Sequence, residues 1–99
     1  MRSRKRAIVI HEKDNVAVAL DPINAGTIIS VEIESRIEKI RLLTDIPMGH
    51  KFALKDMKER EVVIKYGETI GQTKTEISRG EHVHVHNVIS QPRQKGQEF

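Results

Sequence analysis

The segment ISRGEHVHVHNV, residues 77–88, joins a turn to an apolar strand pattern that carries a histidine at every second position. Successive side chains of a β-strand point to opposite faces, so His82, His84 and His86 are predicted to share one face and the valines between them the other. The valines then form a buried face and the histidines an exposed one. A row of imidazoles can bind a metal, bind an anionic substrate, transfer protons or simply face water.

The start of this segment belongs to a weak repeat. An apolar residue, two polar residues, a turn residue and a strand recur in that order at residues 23–28, 57–63 and 77–83. Glycine in fourth place supplies a positive φ without steric cost, whereas Arg60 in the same place would cost about 1 kcal/mol in that conformation. The repeat predicts a mainly β domain of turn-then-strand units, with few or no long helices.

Other short strands are indicated by runs of Val, Ile and Ala. The predicted strands are 7–10, 16–20, 27–33, 61–65 and 82–89. The segment ESRIEKIRLL, residues 34–43, is ambiguous, because its apolar residues fit helical spacing whereas its charged and apolar residues also alternate; of the two interpretations we prefer a strand. We predict a basic flexible N-terminus at 1–6, one domain at 7–89 and a disordered polar tail at 90–99.

The composition limits the classes of site and partner that are expected for the chain. Its 99 residues are 37% hydrophobic and 31% charged, with one tyrosine and two phenylalanines, so we expect an aliphatic core. No apolar run approaches the roughly 20 residues of a membrane span or resembles a secretory signal, which predicts no membrane partner. The absence of cysteine excludes thiolate metal sites and fits a cytoplasmic location. Without aromatic stacking positions, a nucleic-acid partner is not expected despite the net charge of +3.

Four motifs carry a family likeness. IHEKDNVAVAL (10–20), DIPMGHKFALKDM (45–57), VVIKYGETIG (62–71) and ISRGEHVHVHNV (77–88) resemble, in order and spacing, the SAF-type β-clip domain of altronate and galactarate dehydratases. The resemblance covers residues 7–88 and implies a SAF-like β-clip fold. Because the chain stops at Phe99, it implies a small subunit made separately from a large catalytic one. The small subunit of (2R)-sulfolactate sulfo-lyase is similar as well.

The resemblance also implies a reaction. It is a β-elimination from a small hydroxy acid, helped by a divalent metal such as iron or manganese, in which water or sulfite leaves next to the carbon that loses a proton. The developing enediolate needs a cation or strong donors, and the protons need a base and an acid. The implied partners are the large catalytic subunit and the hydroxy acid, in an oligomer whose small chain is inactive alone.

Polar residues beside the predicted strands are the candidates for this chemistry. His50 and Lys51, in a turn leading into a strand, are predicted to be catalytic, because loops on a rigid scaffold often carry such residues. Histidine pairs two apart on a strand can hold a metal with a third ligand from elsewhere. The predicted metal ligands are His11, His84 and His86. His82 lies outside the family motif and is expected to be a bystander.

Substrate binding is assigned to polar residues next to these. The predicted residues are Asp14, Asn15, Lys65, Tyr66 and Asn87. Each has a purely structural alternative: Asp14 and Asn15 can form an Asx-type turn, and Tyr66 can be a half-buried strand end.

Two other functions stay open. The chain can be the small subunit of a (2R)-sulfolactate sulfo-lyase, or a non-catalytic SAF module that binds a ligand or stabilises a partner. A complete enzyme is not expected, because the sequence shows no nucleophile–base–orienter set and no glycine-rich phosphate loop.

Overall fold

Nine short strands and no helix make up residues 5–90, the part of the chain that the computed structural model describes. The strands are β1 Ala7–Ile8, β2 Val16–Ala19, β3 Ile28–Ile33, β4 Arg36–Arg41, β5 Lys51–Ala53, β6 Val62–Lys65, β7 Glu68–Thr73, β8 His82–Val83 and β9 Val88–Ser90. The mainly β prediction is therefore confirmed, and β4 resolves the ambiguous segment as a strand. Residues 5–90 contain no helix that is long and apolar enough to cross a membrane. The predicted flexible ends lie mostly outside the described residues.

The strands form three antiparallel sheets around two aliphatic cores. The order is β1-β2-β5-β8 in one sheet, β6-β7-β9 in another, and β3 pairs with β4 as a hairpin. Neighbouring residues of β5 face opposite sides, so Phe52 packs in the first core with Ile40, and Ala53 packs in the second with Val63. Strand β5 therefore joins the two cores.

The turn-then-strand unit occurs four times. The units begin at Ile23, Ile46, Met57 and Ile77. They pair through reciprocal backbone hydrogen bonds, the first with the second and the third with the fourth. The fourth residues are Gly26, Gly49, Arg60 and Gly80, with φ of 88°, 84°, 67° and 88°. The positive φ expected of Arg60 is thus present. The sequence pattern missed the unit at residue 46, because Pro47 and Met48 stand where the pattern requires two polar residues.

Each unit also forms two backbone hydrogen bonds with one residue of a neighbouring segment. In the second unit, the Gly49 amide donates to the Ala19 carbonyl at 2.8 Å, and the Ala19 amide donates to the His50 carbonyl at 2.9 Å. The amide of His50 closes its own turn by donating to the Pro47 carbonyl at 3.0 Å. These bonds fix the backbone of His50 beside the end of β2.

The predicted strand 82–89 is wrong in one respect: it is broken. Strand β8 ends at Val83, a turn occupies residues 84–87, and β9 begins at Val88. The cause is Asn87, whose side chain bonds to the backbone of residues 82 and 84 and so competes with strand pairing. The histidines therefore do not share a face by strand alternation.

Candidate functional site

Three histidines meet where β5 begins and β8 ends. One ring nitrogen each of His50, His82 and His84 lies within 4.8 Å of the others, and within residues 5–90 no other group of His, Asp or Glu meets this criterion. Nδ1 of His50 and Nε2 of His82 are 2.8 Å apart. The rings of His50 and His84 stack with centroids 4.2 Å apart and planes 18° apart. We call these three residues the imidazole cluster.

Tertiary pairing assembles the cluster. Strands β5 and β8 pair in antiparallel register, with Phe52 opposite His82, which brings His82 next to the segment that carries His50. The backbone amide of His82 donates to Oγ1 of Thr44 at 3.1 Å. All three imidazoles are only partly buried, so the cluster is open to solvent or to a partner.

Asn87 holds the turn that places His84. The Asn87 side chain is 2% exposed. Its Nδ2 donates to the His82 carbonyl at 2.8 Å, and its Oδ1 accepts from the His84 amide at 2.9 Å. The Asn87 amide also donates to the His84 carbonyl at 3.1 Å. The structure therefore places Asn87 beneath the cluster, bonded to its backbone, although the sequence suggested contact with substrate.

The surroundings favour neutral imidazoles in the cluster. Burial, reinforced by the charges of the other imidazoles, of His86 and of Lys51, lowers the pKa of His82 to about 4. Burial, followed by the charges of His50 and Lys51, also lowers the pKa of His84. Neutral imidazole is the form that coordinates a metal ion, so the donor set suits a cation.

Lys51 is the first residue of β5 and directly follows His50. Its side chain is 3% exposed, and burial, followed by the charge of Lys65, lowers its pKa to about 8. It remains mostly protonated at pH 7 and lowers the pKa of both His82 and His84. A buried ammonium of this kind can bind a carboxylate as a compact point charge.

The structure separates the three metal ligands that the sequence suggested. His84 is in the cluster, and the exposed ring of His86 lies at its margin, with its centroid 5.2 Å from that of His82. His11 lies in the turn before β2, whereas the cluster lies beyond the other end of that strand. Conversely, His82, the expected bystander, is a member of the cluster. Its membership was visible only once the turn at residues 84–87 was known.

Asp14 and Asn15 anchor the turn before β2 to the β6–β7 hairpin. Oδ1 of Asp14 accepts from the Gly67 amide at 2.8 Å, and Oδ2 accepts from the His11 amide at 3.0 Å. Oδ1 of Asn15 accepts from the Ile64 amide at 2.8 Å, and its Nδ2 donates to a carbonyl of β6. Both side chains are buried. The bond from the His11 amide to Asp14 is the local turn contact of the structural alternative, whereas Asn15 bonds to β6 and not to its own turn.

Lys65 and Tyr66 occupy the turn end of β6. Tyr66 is exposed, with a φ of 60°, and Nζ of Lys65 lies 4.9 Å from the centroid of its ring. The charge of Lys65 contributes to the lowered pKa of Lys51. Of the predicted substrate-binding residues, Asn87 bonds directly to the cluster, whereas the link of Lys65 runs only through Lys51.

The described grooves include one that is distinct from the cluster. It has a volume of about 450 Å³ and lies between the β3–β4 hairpin and β6. Four of its charged side chains form two ion pairs, Arg36 with Glu38 and Lys55 with Glu61, at 3.0 Å each. No histidine lines it, and its paired charges leave the imidazole cluster as the stronger candidate for chemistry.

Comparison with known proteins agrees with the motifs. Residues 5–91 match the family described as the altronate/galactarate dehydratase SAF domain. The chain is 42% identical over 83 residues to the altronate dehydratase of Bacillus subtilis, covering 84% of this chain and 16% of that protein. It is 46% identical over 80 residues to the altronate dehydratase of Escherichia coli, covering 81% of this chain and 15% of that protein.

A smaller relative is matched over most of its length. The chain is 39% identical over 84 residues to the (2R)-sulfolactate sulfo-lyase subunit alpha of Chromohalobacter salexigens, covering 81% of this chain and 89% of that subunit. The chain thus spans about one sixth of the two dehydratases but nearly all of the lyase subunit. From its motifs, its strands and these matches, the chain belongs to the SAF domain family of altronate and galactarate dehydratases.

Proposed function

We propose that this chain is the small subunit of a metal-dependent hydro-lyase, which dehydrates a sugar acid by β-elimination together with a separate large catalytic subunit. The observation that carries the proposal is the imidazole cluster, built on a domain whose family includes altronate dehydratases. A separate large subunit is supported by the match to a relative that is itself named as a subunit, the (2R)-sulfolactate sulfo-lyase subunit alpha.

His50, His82 and His84 would hold the divalent cation. When bound, such an ion supplies positive charge that stabilises the enediolate formed as the substrate loses its proton. A ligating nitrogen has no lone pair left for a proton, so this role differs from the general catalytic role that the sequence suggested for His50. The exposed imidazole of His86, at the margin of the cluster, is then placed to carry protons.

Lys51 would bind the substrate carboxylate. Lys51 directly follows His50 in the chain, and its charge adds to the effect of burial in lowering the pKa values of His82 and His84. A cation at the carboxylate raises the acidity of the neighbouring carbon, because it stabilises the negative charge that develops when the proton leaves.

The large subunit would cover the open side of the cluster. Apolar residues next to the cluster are well exposed: Leu43 by 52%, Met48 by 65% and Val85 by 57%. Single exposed apolar side chains are ordinary, but three around one candidate site suit a surface that a partner covers. A second chain would also exclude water, which strengthens the electrostatic interactions at the site.

Reconstitution tests this function. The chain is mixed with a large dehydratase-type subunit of the same organism and iron(II) or manganese(II), and elimination from altronate and galactarate is measured. We expect turnover from the mixture and little from the small chain alone. His84→Ala should lose turnover while copurification of the two chains persists. Full activity of the small chain alone, or a His84→Ala mixture as active as the wild type, would contradict the proposal.

The second candidate is a sulfo-lyase subunit. It is favoured by the match over 89% of the length of the sulfolactate sulfo-lyase subunit alpha. The same elimination then releases sulfite instead of water. Assaying the reconstituted mixture on (2R)-sulfolactate, with sulfite release as the readout, separates the two enzymes. If neither substrate class reacts although the chains assemble, the chain is a non-catalytic SAF module.

A further inference from the structure

We propose that Asn87 positions His82 and His84 so that this one chain holds the metal through three imidazole nitrogens, without a ligand from the large subunit. The inference deepens the proposed function and rests on it for the use of the ion. It concerns metal binding by the isolated chain, which can be measured separately from elimination.

The contacts of Asn87 reach two ligand-bearing residues at once. Its amide group bonds to the carbonyl of His82 and to the amide hydrogen of His84, and its side chain is almost fully buried. The backbone of both ligands is therefore clamped by one planar group. Hydrogen bonds behind the metal ligands orient them, and their loss typically weakens metal affinity about 10- to 100-fold.

The turn held by Asn87 makes the cluster compact. In a continuous strand, residues two apart are separated by about 6.6 Å along the chain, and their side chains stand side by side. The turn instead stacks the ring of His84 on that of His50, with centroids 4.2 Å apart. Because of the turn that Asn87 holds, the histidines do not form a row along one strand. They form a cluster that includes His50, from the turn leading into β5.

The spacing of the nitrogens suits one ion. Nδ1 of His50 and Nε2 of His82 share a hydrogen bond of 2.8 Å, which a bound ion would replace, and one nitrogen from each of the three rings lies within 4.8 Å of the others. Ligands of one ion at about 2.1 Å are at most about 4.2 Å apart, so small side-chain rotations bring the third nitrogen into range. Three ligands leave positions for water or substrate, as in catalytic sites.

The three imidazole nitrogens determine which metal ions the cluster would prefer. Imidazole nitrogens suit zinc, iron, nickel and copper, whereas magnesium, calcium and manganese prefer carboxylate, carbonyl and water oxygens. Of the two metals implied by the family resemblance, the cluster therefore favours iron(II) over manganese(II). Cobalt(II) is a suitable probe, because its visible spectrum reports the ligands around it.

The test is a cobalt(II) titration of the full 99-residue chain, followed by visible absorption and calorimetry. We expect one ion per chain for the wild type, and no binding of magnesium. Asn87→Ala should weaken cobalt binding about 10- to 100-fold. Asn87→Asp keeps an acceptor for the His84 amide but loses the donor to the His82 carbonyl, so its loss should be smaller but measurable.

Asn15→Ala is the matched control. Asn15 is also buried, and its amide group likewise bonds to one backbone carbonyl and one backbone amide, but these belong to β6. Thermal melts should show destabilisation of both alanine variants, whereas only Asn87→Ala should change the cobalt affinity and spectrum of the folded protein. If Asn87→Ala does not fold, the comparison of Asn87→Asp with Asn15→Ala decides.

Three results would overturn the inference: no cobalt bound by the wild-type chain, half an ion per chain, or equal affinity losses at the two asparagines. An active reconstituted enzyme combined with any of these would leave the proposed function intact and place other ligands in the large subunit. Conversely, tight cobalt binding by the chain without turnover in the mixture would support the metal site and contradict the function.

Discussion

Replacing Gly80 by alanine should destabilise the protein strongly, because two separate costs fall on one added methyl group. Gly80 has a φ of 88°, and a Cβ built there would lie 2.1 Å from the Arg41 carbonyl oxygen. The left-handed conformation costs a non-glycine residue about 1–2 kcal/mol. Relief of the collision requires backbone movement at β4, which by analogy with overpacked cores costs about 1–3 kcal/mol more.

Gly26→Ala is the matched control, because Gly26 has the same φ of 88° in the equivalent place of another unit, and a Cβ added there would meet no atom within 4 Å. It should therefore show only the conformational cost of about 1–2 kcal/mol. The Gly80→Ala loss should exceed it by about 1–3 kcal/mol. In a domain of this size, whose total stability is about 5–15 kcal/mol, the difference is readily measured.

Urea denaturation of both variants, followed by circular dichroism, gives the two free energies of unfolding. Each kcal/mol should also lower Tm by about 4–8 °C in a domain of this size. Equal losses in the two variants would refute the reasoning, because they would mean that the close approach of Gly80 to β4 does not constrain the fold.

Three single residues allow further tests. Arg60→Gly should raise the free energy of unfolding by about 1 kcal/mol in urea denaturation, because Arg60 holds a φ of 67° that glycine adopts without strain; a loss of stability would contradict this. Lys51→Met should abolish turnover of the reconstituted enzyme while copurification of the two chains persists, because an apolar chain of similar volume removes the ammonium that would bind the substrate carboxylate; retained turnover would exclude a substrate-binding role. The metal-free protein should lose stability as the pH falls from about 6.5 toward 4. The reason is that burial, the rest of the imidazole cluster, His86 and Lys51 lower the pKa of His82 in the folded protein to about 4, so over this range only the unfolded chain gains a proton there. Urea midpoints of the wild type that do not change over this range, or an equal slope in His82→Gln, would exclude this linkage.

The turns, the fold class and the types of candidate residue were predictable from the sequence. Glycine in the fourth place of a unit predicted a turn with positive φ, and the same place in the Met57 unit predicted the strain now seen at Arg60. The motifs identified the family. The turns and apolar runs predicted the β-rich fold, because each of them depends on only a few neighbouring residues. The motifs also marked His50 and His84 as candidates, since polar residues at strand ends often lie at sites.

Pairing between strands that are distant in the sequence determined which candidate site residues lie close together. Segment 34–43 became a strand because β3 supplied a partner for it, which periodicity over a short window does not predict. His50 and His82 are 32 residues apart in the chain and come together only through the pairing of β5 with β8. The turn made by Asn87 then brought in His84 and left His86 at the margin, while His11 stayed at the far end of β2. Local sequence was thus enough for most turns and strands and for the types of donor, whereas the site itself arose from the tertiary fold, because contact between distant residues depends on register and on buried hydrogen bonds.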